Sequence, residues 1–179
     1  MRNNDIAEFF RTQMLAMLTE QGMPQVRVVA SFQPDNQGRL DGPVLYFAEV
    51  TDAPYGAQGS ATKKNAGTGE ITDTSTQRYR ITYQVQGFAP FVENDLSVPL
   101  AGDIVKLALQ LLKSPPFIRA LKSHNMGIET IAATRPNFVV NDRAQFEAGP
   151  MFDFTMSYRR TIIQKSAVIQ SADFAINRV

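Results

Sequence analysis

The sequence has no cysteine, one histidine, almost no net charge and no long apolar run. Each absence removes a class of function. Without cysteine there is no disulfide, no thiol nucleophile and no thiolate zinc site. That composition suits a reducing cytoplasm without requiring one. With His124 as the single histidine, a transition-metal site would have to be built from carboxylates. Eighteen basic residues against 17 acidic ones leave a net charge of +1. A protein that grips nucleic acid by bulk charge is therefore disfavoured, although a local basic patch stays open. No apolar run approaches the roughly 20 residues that span a bilayer, so no membrane partner is expected. The N-terminus, MRNNDIAEFF, places acidic residues early and has no apolar core, so it is not read as a signal peptide.

What is present describes an ordinary globular chain. Its 179 residues fit one domain, 1–179, and an apolar share of 44% supports a core without metals or disulfides. Asp5 and Glu8 fit a capping box, and Ile6, Phe9, Phe10, Met14, Met17 and Leu18 follow at helical spacing. The spacing predicts a helix to about Glu20, stopped by Gly22 and Pro24. Gln25 to Phe32 and Val44 to Thr51 read as strands on either side of a turn-rich segment, Pro34 to Pro43. Asp52 to Gln77 is rich in Gly, Ala, Ser and Thr and nearly free of large apolar residues. It reads as a flexible loop or a projecting hairpin with its tip at Asn65 to Gly69.

Arg78 to Gln86 alternates cleanly, with Tyr79, Ile81, Tyr83 and Val85 on one face and Arg78, Arg80, Thr82 and Gln84 on the other. Leu100 to Leu112 is a predicted helix. Ser114 then caps a short one, Phe117 to His124, that opens with proline. Gly127 to Ala133, Phe138 to Asn141 and Ala172 to Val179 are candidate short strands. The second strongly alternating segment, Met151 to Ile163, puts Phe152, Phe154, Met156 and Tyr158 opposite Asp153, Thr155, Ser157 and Arg159. Gly149 and Pro150 precede it, and it is expected to finish the sheet with its apolar face on the helix Leu100 to Leu112. The expected class is α+β: a mostly antiparallel, twisted sheet packed on one side by helices.

The chemistry-bearing groups each have a plainer explanation. His124 sits near a helix C-terminus, where the helix dipole favours it, and lacks a visible orienting partner for general-base work. Asp142, Glu147 and Asp153 would suit Mg²⁺ in a small hydrolase or nuclease if they converged, but Gly149 and Pro150 separate the last two. Solvated acids are the better reading. Gly56, Gly59, Gly67 and Gly69 with Lys63 and Lys64 lack phosphate-loop spacing, and no helix follows. Tyr83, Phe88, Pro90 and Phe91 pack a strand end rather than stack bases. No catalytic residue, cofactor or metal ligand is assigned, and no enzyme is expected. Arg78, Arg80 and Arg159, with Arg160 beside them, would give one sheet an arginine-bearing face. That face is either solvated or a subunit interface exploiting the planar, multidentate guanidinium.

The order of these features resembles phage neck or tail terminator proteins. A helix precedes a short strand. Asp41-Gly42-Pro43 leads into Val44-Leu45-Tyr46-Phe47, and the Gly/Ser-rich excursion leads into Tyr79 to Phe88. After two helices come Asn141-Asp142, Phe146-Glu147 and the strand Met151 to Tyr158. The resemblance covers most of the chain as an order of elements. Ala148, Gly149 and Pro150 stand where the family would place a basic residue, so no individual residue role carries over. The resemblance implies a structural virion protein of the tail–neck region, assembled in the host cytoplasm as a homo-oligomeric ring, commonly a hexamer. Such a ring caps the tail tube and joins it to neck or head-completion proteins, with DNA only passing through its lumen. A head-completion, tube or baseplate protein is the alternative. On this reading Arg78, Arg80, Arg159, Lys63 and Lys64 are the candidate interface residues.

Overall fold

A computed structural model describes residues 3–30, 42–65, 67, 70–89, 99–140 and 146–167. The elements in chain order are α1 (Asn3–Glu20), β1 (Arg27–Ala30), β2 (Val44–Lys64), β3 (Glu70–Phe88), α2 (Ala101–Leu112), α3 (Pro115–Ser123), β4 (Met126–Ile131), β5 (Phe138–Val140), β6 (Phe146–Ala148) and β7 (Met151–Ala167). Five strands form one sheet in the order β1-β2-β3-β7-β4, and β5 pairs with β6 in a small second sheet. Only β1–β2 is parallel; the other pairings are antiparallel. The architecture is α+β, as the alternation and helical spacing predict.

The helices cover one face of the large sheet. Alternation turns Ile81, Tyr83 and Val85 of β3 and Phe152, Phe154 and Met156 of β7 to that face, and all six are buried. α1 contributes Ile6, Phe10, Met14, Met17 and Leu18 from one stripe, and α2 contributes Ile104, Val105, Ala108, Leu111 and Leu112. Together they form one contiguous apolar cluster. Phe10 is its centre: its ring lies 4.8 Å from Phe47, 5.3 Å from Phe154 and 6.2 Å from both Tyr83 and Phe117. The β7 face expected on α2 therefore also meets α1. At Gly87, β3 passes so close to α2 that an added Cβ would lie 2.5 Å from Val105 Cγ2 and 3.0 Å from the Ala101 carbonyl oxygen. Only a residue without a side chain admits that approach.

The helix signals are sound with small shifts. Ser114 caps α3, its Oγ accepting from the Phe117 amide at 3.4 Å, with proline at the first helical positions. α1 already begins at Asn3, so Asp5 lies within its first turn rather than at its cap. An acid there still complements the positive end of the helix.

One expectation is corrected and one open alternative is resolved. β7 does not finish the sheet. It lies between β3 and β4, and β4 is the edge. Alternation reports which face a strand buries and nothing about its lateral neighbours. The excursion 52–77 is the hairpin of the two alternatives, not a loop: β2 runs on past Thr51 to Lys64 and β3 starts at Glu70. Compact burial needs apolar side chains, but ladder pairing needs only backbone groups, so a polar, Thr-rich segment can extend a sheet. β7 likewise continues beyond Ile163 to Ala167, paired with β3 throughout. The candidate strand Ala172 to Val179 lies outside the described residues.

Candidate functional site

Where the core ends, the three central strands do not. The last buried residues are Phe47 in β2, Ile81 in β3 and Tyr158 in β7. Beyond them β2, β3 and β7 go on as a three-stranded arm with no buried residue among those described. Nine residues of β7, Arg159 to Ala167, correspond to a projection of about 30 Å. β2 enters the arm through two irregularities. One extra residue, Val50, interrupts the register between Glu49 and Thr51, and a second break falls between Tyr55 and Gly59. Bulges of this kind bend a strand and sharpen its twist. At the second break Gly56 takes a left-handed φ of 70°, and Gln77 Nε2 donates to the Tyr55 and Gly56 carbonyls at 2.9 and 3.3 Å.

The face away from the helices is polar, and the β3–β7 register assembles it. Arg78 lies opposite Arg159, Arg80 opposite Ser157, Thr82 opposite Thr155 and Gln84 opposite Asp153. The Thr82 and Thr155 hydroxyls are 3.0 Å apart, and Gln84 Nε2 donates to Asp153 Oδ1 at 3.2 Å. The predicted sharing of one face by Arg78, Arg80 and Arg159 is thus present.

The three arginines are not equivalent. Arg80 is engaged within the chain: its Nε lies 2.6 Å from Glu129 Oε2, and its guanidinium sits 4.8 Å over the Tyr55 ring. Arg78 and Arg159 are exposed and have no ion pair or side-chain hydrogen bond among the described residues. Like charges directly opposite each other in a ladder repel. A recess beside them is lined by Tyr55, Asn125, Gly127 and Ser157. Arg160 turns to the other face, into a shallow hollow with Pro54, Gln77, Tyr79 and Ile162. Lys63 and Lys64 are exposed at the far end of β2, opposite Thr72 and Ile71. Alternation gives Lys63 to the arginine face and Lys64 to the other.

At the base of the arm, on the helix side, a polar cluster ties three distant segments together. Asn3 Nδ2 donates to Glu49 Oε2 at 3.2 Å and to Asp52 Oδ2 at 3.1 Å. The Tyr158 hydroxyl donates to Asp52 Oδ2 at 2.9 Å. Burial and then the Asp52 hydrogen bond raise the Tyr158 pKa well above the usual range. Burial, followed by Glu49 and Asp52, does the same for Tyr83. Two atoms here, Asp52 Oδ1 and the Tyr83 hydroxyl, are buried without a hydrogen-bond partner among the described residues. Nothing in the sequence announces this cluster, because its hydrogen-bonded pairs are 46 to 155 positions apart.

The remaining candidates take ordinary places. His124 is the C-cap of α3, its Nδ1 3.1 Å from the Ala120 carbonyl oxygen and its ring 4.7 Å from Phe9. Asp153 is ion-paired with Arg135 at 2.9 Å, Glu147 belongs to β6, and Asp142 lies outside the described residues. Among the described residues no three His, Asp or Glu side chains gather as metal ligands would. Gly59 is a strand residue of β2, and Gly67 donates its amide to Asn65 Oδ1 at 3.0 Å. Gly69, Pro90 and Phe91 lie outside the described residues. Phe88 packs edge-on against Tyr46 at 5.7 Å, while Tyr83 is in the core. No helix among the described residues is long and apolar enough to cross a membrane.

Comparison with known proteins gives one family match. The sequence pattern of the family described as E217 gateway protein gp29 matches residues 5–168. No curated protein matches the chain. A similar solved structure is the sheath/tube terminator, in extended state, of an extracellular contractile injection system, PVC. It is 10% identical with a TM-score of 0.36, over 96% of this chain and 63% of that one.

Proposed function

The chain belongs to the E217 gateway protein gp29 family, a structural protein of the phage tail and neck, and we propose that it is the subunit of a closed ring that ends the tail tube. In this role copies of the chain associate head to tail, and closure fixes their number, with six expected. One side of the ring meets the tail tube protein, and the other offers a docking surface to neck or head-completion proteins. DNA passes through the lumen without being read, in keeping with a net charge of only +1. The ring forms part of the virion, is assembled in the host cytoplasm, and needs no cofactor or catalytic step.

The observation that carries this reading is the arm. A three-stranded sheet gains stability by covering an apolar face, and this one extends past the core with none. Ile162 and Ile163 are 52% and 62% exposed, one on each face. Such a sheet is a surface built for a neighbour. Its charged residues Arg78, Arg80, Arg159, Lys63 and Lys64 are the proposed interface, and among the described residues only Arg80 of the five has an ion pair within the chain.

Native mass spectrometry of the purified chain, alone and with tail tubes, tests the ring, and cryo-electron microscopy of virions tests its place. A six-fold ring at the tube end is the expected result. Virions with none of this chain at the neck would overturn the proposal.

A further inference from the structure

Among the described residues, the outer half of β7 has a strand on only one side. β4 stops pairing at Met126, opposite Tyr158, whereas β7 runs to Ala167 against β3 alone among the described residues. The register with β3 is unbroken from Met151 to Ala167, so the direction of each backbone group can be followed along the strand. Met151 exchanges hydrogen bonds with Arg135, and the Asp153 carbonyl accepts from the Ala132 amide at 2.8 Å. Odd-numbered residues of β7 therefore turn their N–H and C=O groups away from β3. In an antiparallel ladder that alternation persists, so Arg159, Thr161, Ile163 and Lys165 present theirs at the open edge. A free edge of this length, with a Thr-Ile-Ile run, is one that proteins ordinarily cover or blunt.

Charge marks what would cover it. The arm, taken as 53–64, 70–79 and 159–167, carries six basic residues and only two acidic ones in a chain of net charge +1. Both acids are engaged: Lys165 Nζ is 3.4 Å from Glu70 Oε2, and Asp73 accepts from Thr62 Oγ1 at 2.6 Å. Among the described residues Arg78 and Arg159 stand unpaired where the open edge begins. The other open edge of the arm, β2 from Ala53 to Lys64, has two lysines and no carboxylate, so the β2 edge of a second copy has the wrong charge. Nucleic acid has no peptide ladder to add and would leave Ile163 uncovered.

We propose that the β7 edge, Arg159 to Lys165, takes an extended acidic segment of a different protein as an added strand, with its carboxylates on Arg78 and Arg159. Backbone pairing supplies the affinity, and the arginines set register and sign. This names a partner chemistry for the arm and rests on its being an assembly surface.

The test uses the full chain and a synthetic twelve-residue peptide alternating Glu and Val. Calorimetry reads binding and amide exchange reads the edge. In the free chain the amides of Arg159, Thr161, Ile163 and Lys165 exchange fast, and those of Arg160, Ile162 and Gln164 slowly. Peptide is expected to slow the first set at least tenfold and leave the second unchanged. Arg78→Glu with Arg159→Glu should weaken binding at least tenfold. Ile163→Pro removes one edge amide without touching the β3 ladder and should abolish binding at an unchanged melting temperature. A Lys/Val peptide should not bind. The proposal is overturned if the odd-numbered amides are already protected in the free chain, if both variants bind normally, or if a DNA duplex binds and the acidic peptide does not. Failure of the peptide beside an intact ring on the tube leaves the neck reading standing. Virions lacking the chain at the neck sink that reading whatever the peptide does.

Discussion

Phe10 does more than any other side chain to join the helices to the sheet. It is 1% exposed and meets four aromatic rings from β2, β3, β7 and α3. Phe10→Ala should cost about 3–5 kcal/mol, read by urea unfolding, because the rigid rings around it cannot close the cavity. Tyr158 and Tyr83 make the stability of the fold depend on pH. Both hold their protons above the ordinary pKa of 10.0, so the folded state binds protons that the unfolded state releases. Stability is therefore fully present below about pH 10 and falls as pH rises beyond it, by at most about 1.4 kcal/mol per unit for each tyrosine. Tyr158→Phe should make that alkaline fall shallower. It should also cost about 1–3 kcal/mol at neutral pH, since the half-buried Asp52 carboxylate loses one of its two donors and keeps only Asn3. Thermal melts from pH 7 to pH 11 read both effects.

The arm is a matter of whole elements. β2, β3 and β7 are 21, 19 and 17 residues long, against the 5 or 6 of an average strand. Their inner halves bury the core; their outer halves bury nothing. Stability and assembly should then separate. A variant with 57–76 replaced by a two-residue turn, and the chain ended after Arg160, keeps every buried residue among those described. It should melt within a few degrees of the parent, because truncation tolerance follows burial rather than length. The same variant should lose ring formation and tube binding, as seen by native mass spectrometry and by co-sedimentation with tail tubes. A large fall in melting temperature would instead show that the arm supports the core.

For the whole molecule, the distribution of charge matters more than its sum. The chain is nearly neutral, yet its arm is basic and exposed. Contacts made there by exposed groups are screened as the Debye length shrinks from about 10 Å at 0.1 M salt to about 3 Å at 1 M. Assembly on the tube should weaken over that range while the melting temperature of the isolated chain stays nearly constant. Sedimentation with tubes at rising salt checks this, and salt-independent assembly would assign the contact to Ile162, Ile163 and backbone pairing rather than to the arginines.

Which face of each strand is buried can be read from the chain alone. The period-2 pattern of Arg78 to Gln86 and Met151 to Tyr158 is a local property, and so are the Ser114 cap and the stripe of α2. The same pattern put Arg78 and Arg80 on the polar side of one strand and Arg159 on that of another. Lateral order was not legible: alternation is identical for an edge strand and a central one, so β7 read as the last strand when it lies inside the sheet. Nor was the pairing of 52–77, because ladder hydrogen bonds use groups that every residue carries. Which arginine is spoken for was settled only when the strands came together. Glu129 reaches Arg80 from β4 across 49 positions, and no comparable carboxylate among the described residues reaches Arg78 or Arg159. Ion pairs between strands depend on register, and register is settled when the whole sheet forms.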